Sequence, residues 1–266
     1  MCRFKSGIIL KSKVVVAPGA NDSHSDLLEE MGIEDTRWNA ERVFVRAELV
    51  PEDNEWWVSP KDQPEKWEFI VDQDIVPDWF DKDEHEKIFR EYLCDWWDKH
   101  VLVDKKLDEL SSGFYKLKRC EVKKLCNDVL VLLDSSQVGK MYGSSQVGEM
   151  YGSSQVGEMW DSSQVGKMYG SSQVGKMYGS SQVGEMYDSS QVGKMLDSSQ
   201  VGEMYDSSQV GKMWGSSQVG KMLDSSQVGE MWGSSTARNF KYYPKIQIMV
   251  PDTGNFEMVA FKKEEK

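Results

Sequence analysis

Apolar and polar positions alternate with different periods along the chain, and the period changes once. Near the start, two β-branched runs flank a polar turn in "GIILKSKVVVA", which predicts a β-hairpin. "NDSHSDLLEEMG" predicts a short helix, with Ser23 or Ser25 as its cap and Gly32 where a helix end takes a left-handed residue. "EDTRWNAE" adds another turn of helix, "RVFVRAELVP" is a strand, and "EDNEWWVSPKDQPEK" is a loop. Trp67, Phe69 and Val71 alternate and mark "KWEFIVDQD" as a strand. "DKDEHEKIFREYLCDWWDKHV" carries the strongest helical signal. Ile88, Tyr92 and Trp96 fall at i, i+4 and i+8, with Phe89 and Leu93 alongside, while Asp81, Asp83, Glu84 and Glu86 crowd the start where they suit the helix dipole. Residues 1–112 therefore read as an α+β domain.

From residue 113 the helical period is gone. "FYKLKRCEVKKLCNDVLVLL" is β-rich, and its "VKKLC" resembles the "VGKMY" that follows, so residues 113–133 read as degenerate entry coils. Residues 134–232 are eleven nonapeptides without a gap, and "GSSTARNFK" is a decayed twelfth, so the array extends to 241. Residues 242–266 carry two further strand signals around "PDTG", a β cap for the exposed end of an array, followed by a charged tail.

The unit is [D/G]-S-S-Q-V-G-[K/E]-M-[Y/W/L]. Position one is Asp in six copies and Gly in five, position seven is Lys in six and Glu in five, and position nine is Tyr, Trp or Leu. The variable positions are expected to face outward, with Val and Met inside. A mid-unit Gly and a Ser pair oppose helix. A short period with one small apolar ladder predicts a β-solenoid, because a single unit cannot bury its Val alone. Nine residues are too few for a closed coil. With two units per coil, six of nine position-seven neighbours carry opposite charge, among them Lys140–Glu158 and Lys212–Glu230. With three units only three of eight do, so an 18-residue coil is expected. Val and Met stand three apart, which requires a bend or bulge near the intervening Gly. The [D/G]-S-S stretch supplies the other turn.

Net charge is −12 over 266 residues, divided as −9 over residues 1–133, −5 over the array and +2 over the remainder. An acidic surface disfavours nucleic-acid binding. The opening lacks the unbroken apolar core of a secretory signal, and no apolar run reaches membrane-span length, so a soluble, cytoplasmic protein is expected. Four cysteines, Cys2, Cys94, Cys120 and Cys126, are too sparse for a disulfide scaffold and read as free thiols. The "MCRFKSGIIL" opening, "SHSDLLEEMGIEDT", "FVRAELVP" and "FIVDQDIVPDWF", followed by a nonapeptide array, resemble a family of uncharacterised proteins of bacteriophages and gut bacteria. That resemblance implies a small α+β domain and a solenoid of variable length, and no activity. Separately, "YGSSQ" is similar to the "YGSTQ" of bacterial ice-nucleation repeats, whose unit is longer.

Candidate chemistry is thin. Cys2 stands where N-terminal-nucleophile enzymes carry their nucleophile, but Arg3 replaces the expected glycine. His24, His85 and His100 show no metal-ligand spacing, and His85 is expected on a solvated helix face. Asp72 and Asp74 put two carboxylates on one side of a strand, as a cation site or acid–base pair would, but the preferred reading is a strand end feeding a turn. The tryptophans of the first domain are expected mostly in its core, with Trp56 and Trp57 in a loop as a candidate binding edge. No phosphate loop, catalytic triad or zinc pattern is present, so neither cofactor nor metal is expected. The expected function is non-enzymatic binding or scaffolding, with a protein partner or a second copy. Its candidate contact face is the position-nine ladder on one side of the coil: Tyr142, Trp160, Tyr178, Trp214 and Trp232, with Leu196 among them. Two other classes fit less well: recognition of an ordered lattice such as ice, and an acidic mimic of DNA.

Overall fold

A computed structural model describes residues 5–16, 23–238, 245–250 and 255–260. The chain divides into two units, Met1–Val101 and Leu102–Lys266.

In the first unit, β1 (Lys5–Leu10), β2 (Lys13–Val16), β3 (Phe44–Pro51) and β4 (Trp67–Val71) form an antiparallel sheet in the order β2-β1-β3-β4. The predicted hairpin is β1–β2, with Ile9 opposite Val14. Helix α1 (His24–Glu30) starts at Ser23, whose hydroxyl accepts from the Asp26 amide at 3.2 Å, and Gly32 follows it with φ of +66°. Helix α2 (Arg37–Ala40) is one short turn capped by Thr36. Helix α3 (Lys82–His100) is capped by Asp81, which accepts from Glu84 N at 2.9 Å. Leu27 and Leu28 of α1 pack with Ile8 and Phe44 on one face of the sheet. Phe89 of α3 meets Phe69 edge-on at 5.6 Å over Gly7, where a Cβ would lie 2.6 Å from the Phe89 ring. Neighbouring residues of a strand face opposite sides, so α1 and α3 cover opposite faces.

The buried stripe of α3 is rotated from the expected one. It runs His85, Phe89, Leu93, Trp96, whereas Ile88 is half-buried and Tyr92 is 48 % exposed. Phe89 and Leu93 meet the sheet centrally, which brings His85 inward and leaves the Tyr92 hydroxyl in water. His85 is therefore buried rather than solvated, with its Nδ1 at 2.6 Å from Asp81 O and its ring stacked on Phe80.

The second unit is a parallel β-solenoid of about eight turns. Its strands fall alternately into two sheets. Sheet I takes Lys106–Leu110, Glu121–Leu125, Gln137–Met141 and every second array strand to Gln227–Met231, then Lys245–Val250 and the antiparallel Asn255–Ala260. Sheet II takes Val101–Val103, Gly113–Lys118, Val129–Asp134, Gln146–Tyr151 and the alternate strands to Thr236–Ala237. The coils begin at residue 101 rather than 113, because "VLVDKKLDEL" supplies strands for both sheets before the entry segment. Val138 pairs with Val156 and Met141 with Met159, so the coil holds two nonapeptides. Val122 pairs with Val138, so the entry coil before the array is 16 residues long. The two cap strands are present, and the "PDTG" turn between them lies outside the described residues.

Val and Met are the apolar filling of the array interior: each Val is at most 2 % exposed, and every Met from Met141 to Met222 is fully buried. The ladder pairs Gln, Val, position seven and Met, and skips the glycine, where the strand bends as the Val–Met spacing requires. At the corners from Ser145 to Ser226 the position-three Ser amide donates back to the position-nine carbonyl, as Ser145 N does to Tyr142 O at 3.2 Å. From Gly143 onward this turn holds position one in the left-handed region, which Gly and Asp tolerate: Gly143 has φ of +62° and Asp161 of +58°, whereas at the first repeat Ser135 takes that conformation, with φ of +51°. Asp adds a hydrogen bond. Asp161 accepts from the Gly143 amide of the preceding coil at 3.1 Å, and Asp197 accepts likewise from Gly179 at 3.0 Å.

Candidate functional site

Val and Met point inward, so the outer face of each array strand presents position four, six and seven in order. Gln forms one exposed column, Gly a bare one, and Lys or Glu a third. The rings at position nine stand at the corner beside the third. On sheet I the bare glycines make a groove of about 640 Å³ from Gly139 to Gly211, walled by position seven from Lys140 to Lys212.

The charge columns differ between sheets. On sheet I, Glu158 is bridged by Lys140 at 3.2 Å and by Lys176 at 3.5 Å, and Lys212 meets Glu230 at 2.8 Å. Between these, Lys176, Lys194 and Lys212 stack in register as three consecutive like charges. Lys194 has no carboxylate partner among the described residues. It stands, like Lys212, 5.9 Å from the centre of the Trp214 ring, an outer-limit cation–π distance. On sheet II, Lys167–Glu185 and Lys221–Glu203 pair at 3.3 and 3.0 Å, and Glu185 stacks on Glu203.

The expected contact residues occupy the sheet I corner, and all are half-buried. Trp160 and Tyr178 stack at 4.0 Å with planes 14° apart. Leu196 interrupts the column, Trp214 lies beside the lysine run, and the Trp232 indole donates to Glu230 at 3.3 Å. Sheet II carries the longer ring stack, Tyr151, Tyr169, Tyr187 and Tyr205, at 4.8–5.2 Å. The hydroxyls of Tyr151, Tyr187 and Tyr205 donate to Glu149, Glu185 and Glu203. Burial and then Glu149 push the Tyr151 phenol up, and Glu185 and Glu203 are the main causes that push up Tyr187 and Tyr205, Tyr205 to about 12. Position nine thus stabilises neighbouring coils as well as facing outward, and only Tyr151 among these rings is prominently exposed, at 40 %.

In the first unit, the two carboxylates of "DQD" serve different surroundings. Gln73 pins the segment, its amide donating to Ala40, Phe44 and Ile75 carbonyls and its oxygen accepting from Arg46 N. Asp74 lines a shallow pocket with Arg37, Glu41 and Arg46. Asp72 instead approaches His24 Nδ1 at 3.4 Å, beside Glu48. Sequence spacing could not find this trio, whose members come from a helix, a strand and a loop. Trp56 and Trp57 are half-buried and edge-to-face at 5.8 Å, and the Trp97 indole donates to Trp56 O at 3.0 Å. Of the expected core tryptophans, Trp67 and Trp96 are buried, and Trp79 and Trp97 are half-buried. Cys94, Cys120 and Cys126 are free thiols, and burial raises the pKa of each. Cys2 lies outside the described residues. No helix among the described residues is long and apolar enough to cross a membrane.

Comparison with protein-family models, curated proteins and solved structures finds no match to this chain.

Proposed function

We propose that the protein is a non-enzymatic, cytoplasmic binding module whose sheet I face holds an extended acidic segment of a protein partner. The observation that carries this reading is the stacked run Lys176–Lys194–Lys212 along a glycine-floored groove, with Trp214 beside it. A bare backbone floor lets a chain approach closely. Lysines one coil apart match carboxylates on an extended strand, whose residues on one face repeat at about 6.6 Å, within reach of flexible side chains. The ring at position nine supplies an apolar anchor of the type that dominates interfaces. Positional chemistry supports catalysis poorly, since residues 134–232 contain neither His nor Cys.

The two other classes fit the outer faces less well. A lattice-binding face needs a neutral plane, and here the charged column shares its face with the glutamines. A DNA mimic needs a continuous acidic column, and the position-seven columns mix lysine with glutamate.

The test uses a fluorescein-labelled poly-glutamate peptide and the full chain. Saturable binding that weakens with salt and is lost in Lys194→Glu supports the reading. No binding at low salt, or equal binding by the variant, removes it. Sedimentation over a concentration series separates this from self-association through the same face.

A further inference from the structure

The trio left unexplained by the solenoid is a built site. We infer that His24, Glu48 and Asp72 bind one first-row divalent transition-metal ion, with zinc as the reference ion. One ligand atom from each lies within 4.8 Å of the others. His24 and Glu48 are 5 % and 6 % exposed, while the Asp72 side chain is 60 % exposed, so the site is a buried pair with one side open to solvent.

The His24 tautomer follows from its other nitrogen. Nε2 lies 3.1 Å from Ala47 O, which can only accept, so Nε2 carries the hydrogen. Nδ1 is then the ring nitrogen left to bind an ion, and it lies 3.4 Å from Asp72 and 4.0 Å from Glu48. An imidazole whose remote N–H donates to a backbone carbonyl is also the usual arrangement of a metal-bound histidine. Ligands about 2.0–2.1 Å from a tetrahedral ion stand roughly 3.4 Å apart, which the His24–Asp72 separation already matches. Glu48 stands farther out, 4.0 Å from Nδ1, and must move in to complete the set.

A second observation stands across the sheet. Ser6 is the direct partner of Glu48 between β1 and β3, so their side chains share a face. Its hydroxyl is fully buried, with no hydrogen-bond partner among the described residues. A carboxylate drawn to a metal, or a water bound to it, supplies a natural partner for that hydroxyl. The third ligand is held in place by its backbone: Asp72 N donates to Arg46 O at 2.9 Å, and Gln73 fixes the next residue. A mixed nitrogen–oxygen set suits zinc, cobalt or manganese, whereas magnesium and calcium select oxygen-only shells.

The test titrates the metal-stripped full chain with Zn²⁺ by calorimetry and with Co²⁺ by absorption. The expected result is one equivalent bound, weakened at least tenfold in Asp72→Asn and in Glu48→Gln. The cobalt spectrum should show d–d bands without thiolate charge transfer, since Cys2, Cys94, Cys120 and Cys126 are the competing thiols of the chain. Asp72 is exposed, so Asp72→Asn keeps the test open if the buried Glu48 variant does not fold. Absence of saturable binding, equal affinity in Asp72→Asn, thiolate bands, or Mg²⁺ binding as tight as Zn²⁺ overturns the inference.

Discussion

The carbonyl oxygen of Gly157 lies 2.5 Å from the point that a Cβ on Gly175 would occupy. The obstacle is backbone, which cannot swing aside, and the same contact recurs coil by coil along both sheets. Gly175→Ala must therefore push adjacent coils apart, and a loss of about 1–3 kcal/mol is expected. Gly179 is a different glycine. Its role is the left-handed turn, with φ of +64°, and Asp161 and Asp197 hold the same conformation in adjacent coils. Gly179→Asp should melt within about 0.5 kcal/mol of the parent. Thermal melts of both variants, with similar losses in each, would contradict the separation of roles.

Deletion of residues 143–160 removes one whole coil and leaves every later strand in its sheet. Deletion of residues 143–151 moves all later strands to the opposite sheet. The repeats tolerate that exchange, since both sheets use one unit. The cap moves with them, because Gln227–Met231 still meets Lys245–Val250 one coil on, in whichever sheet both then lie. Both deletions should therefore leave the cap equally protected from hydrogen exchange and should melt close to one another. A cap that loses protection in the nine-residue deletion alone would show that it is matched to sheet I.

The solenoid was legible because its periodicity is internal. Val and Met recur at fixed spacing, and the alternation of Lys and Glu chose two units per coil. The groove was not legible, since it depends on the skipped glycine pairing that only the register reveals. In the first unit, caps and strands followed local chemistry at Ser23, Gly32 and Asp81. The rotation of α3 did not, because Phe89 and Tyr92 are equally plausible inward residues until the sheet position beneath them is known. The His24–Glu48–Asp72 trio needed tertiary structure altogether.

Buried serines of the corners divide into two kinds. The Ser136 hydroxyl accepts from Cys120 N and donates to Leu117 O, each at 3.0 Å. Its replacement by Ala strands a buried amide and should cost about 1–3 kcal/mol. The Ser181 hydroxyl is buried without a partner among the described residues, as are those of Ser172 and Ser190. Ser181→Ala removes an unmade hydrogen bond and should be neutral or stabilising by about 1 kcal/mol. Chemical denaturation of the two variants checks the contrast, and destabilisation by Ser181→Ala would show that its hydroxyl is bonded in solution.

The tyrosine column predicts an alkaline limit. The Glu203 carboxylate accepts from Tyr205 and is the main cause that raises its phenol from 10.0 to about 12. The folded chain then holds a proton that the unfolded chain releases. This contribution is complete below pH 10 and disappears as pH rises through about 12. On the acid side, hydrogen bonds from Lys140, Tyr205 and Lys212 hold Glu158, Glu203 and Glu230 below their ordinary 4.5. Their contribution is present above 4.5 and is lost as pH falls through the lowered values. Tyrosinate absorbance should lag free tyrosine, and Glu203→Gln should bring Tyr205 back toward it. A normal titration of the whole column would remove these hydrogen bonds.

Lys194 offers the sharpest test, because stability and binding should move in opposite directions. It stacks between Lys176 and Lys212 with no carboxylate partner among the described residues, so both of its neighbours repel it. Lys194→Glu turns two like contacts into two opposite ones. Cross-strand pairs contribute about 0.2–1 kcal/mol each, so the variant should gain roughly 0.5–2 kcal/mol at low salt and less as screening grows. Glu185→Lys is the control. It relieves the contact with Glu203 but creates a like contact with Lys167, and no net gain is expected. On the proposed binding through this run, the stabilised Lys194→Glu chain should also be the one that fails to hold the acidic peptide. A variant that melts higher and binds unchanged would keep the ladder energetics and remove the groove as the contact surface. A variant that melts lower, with Glu185→Lys unaffected, would show that the lysine run is stabilised by something other than its neighbours.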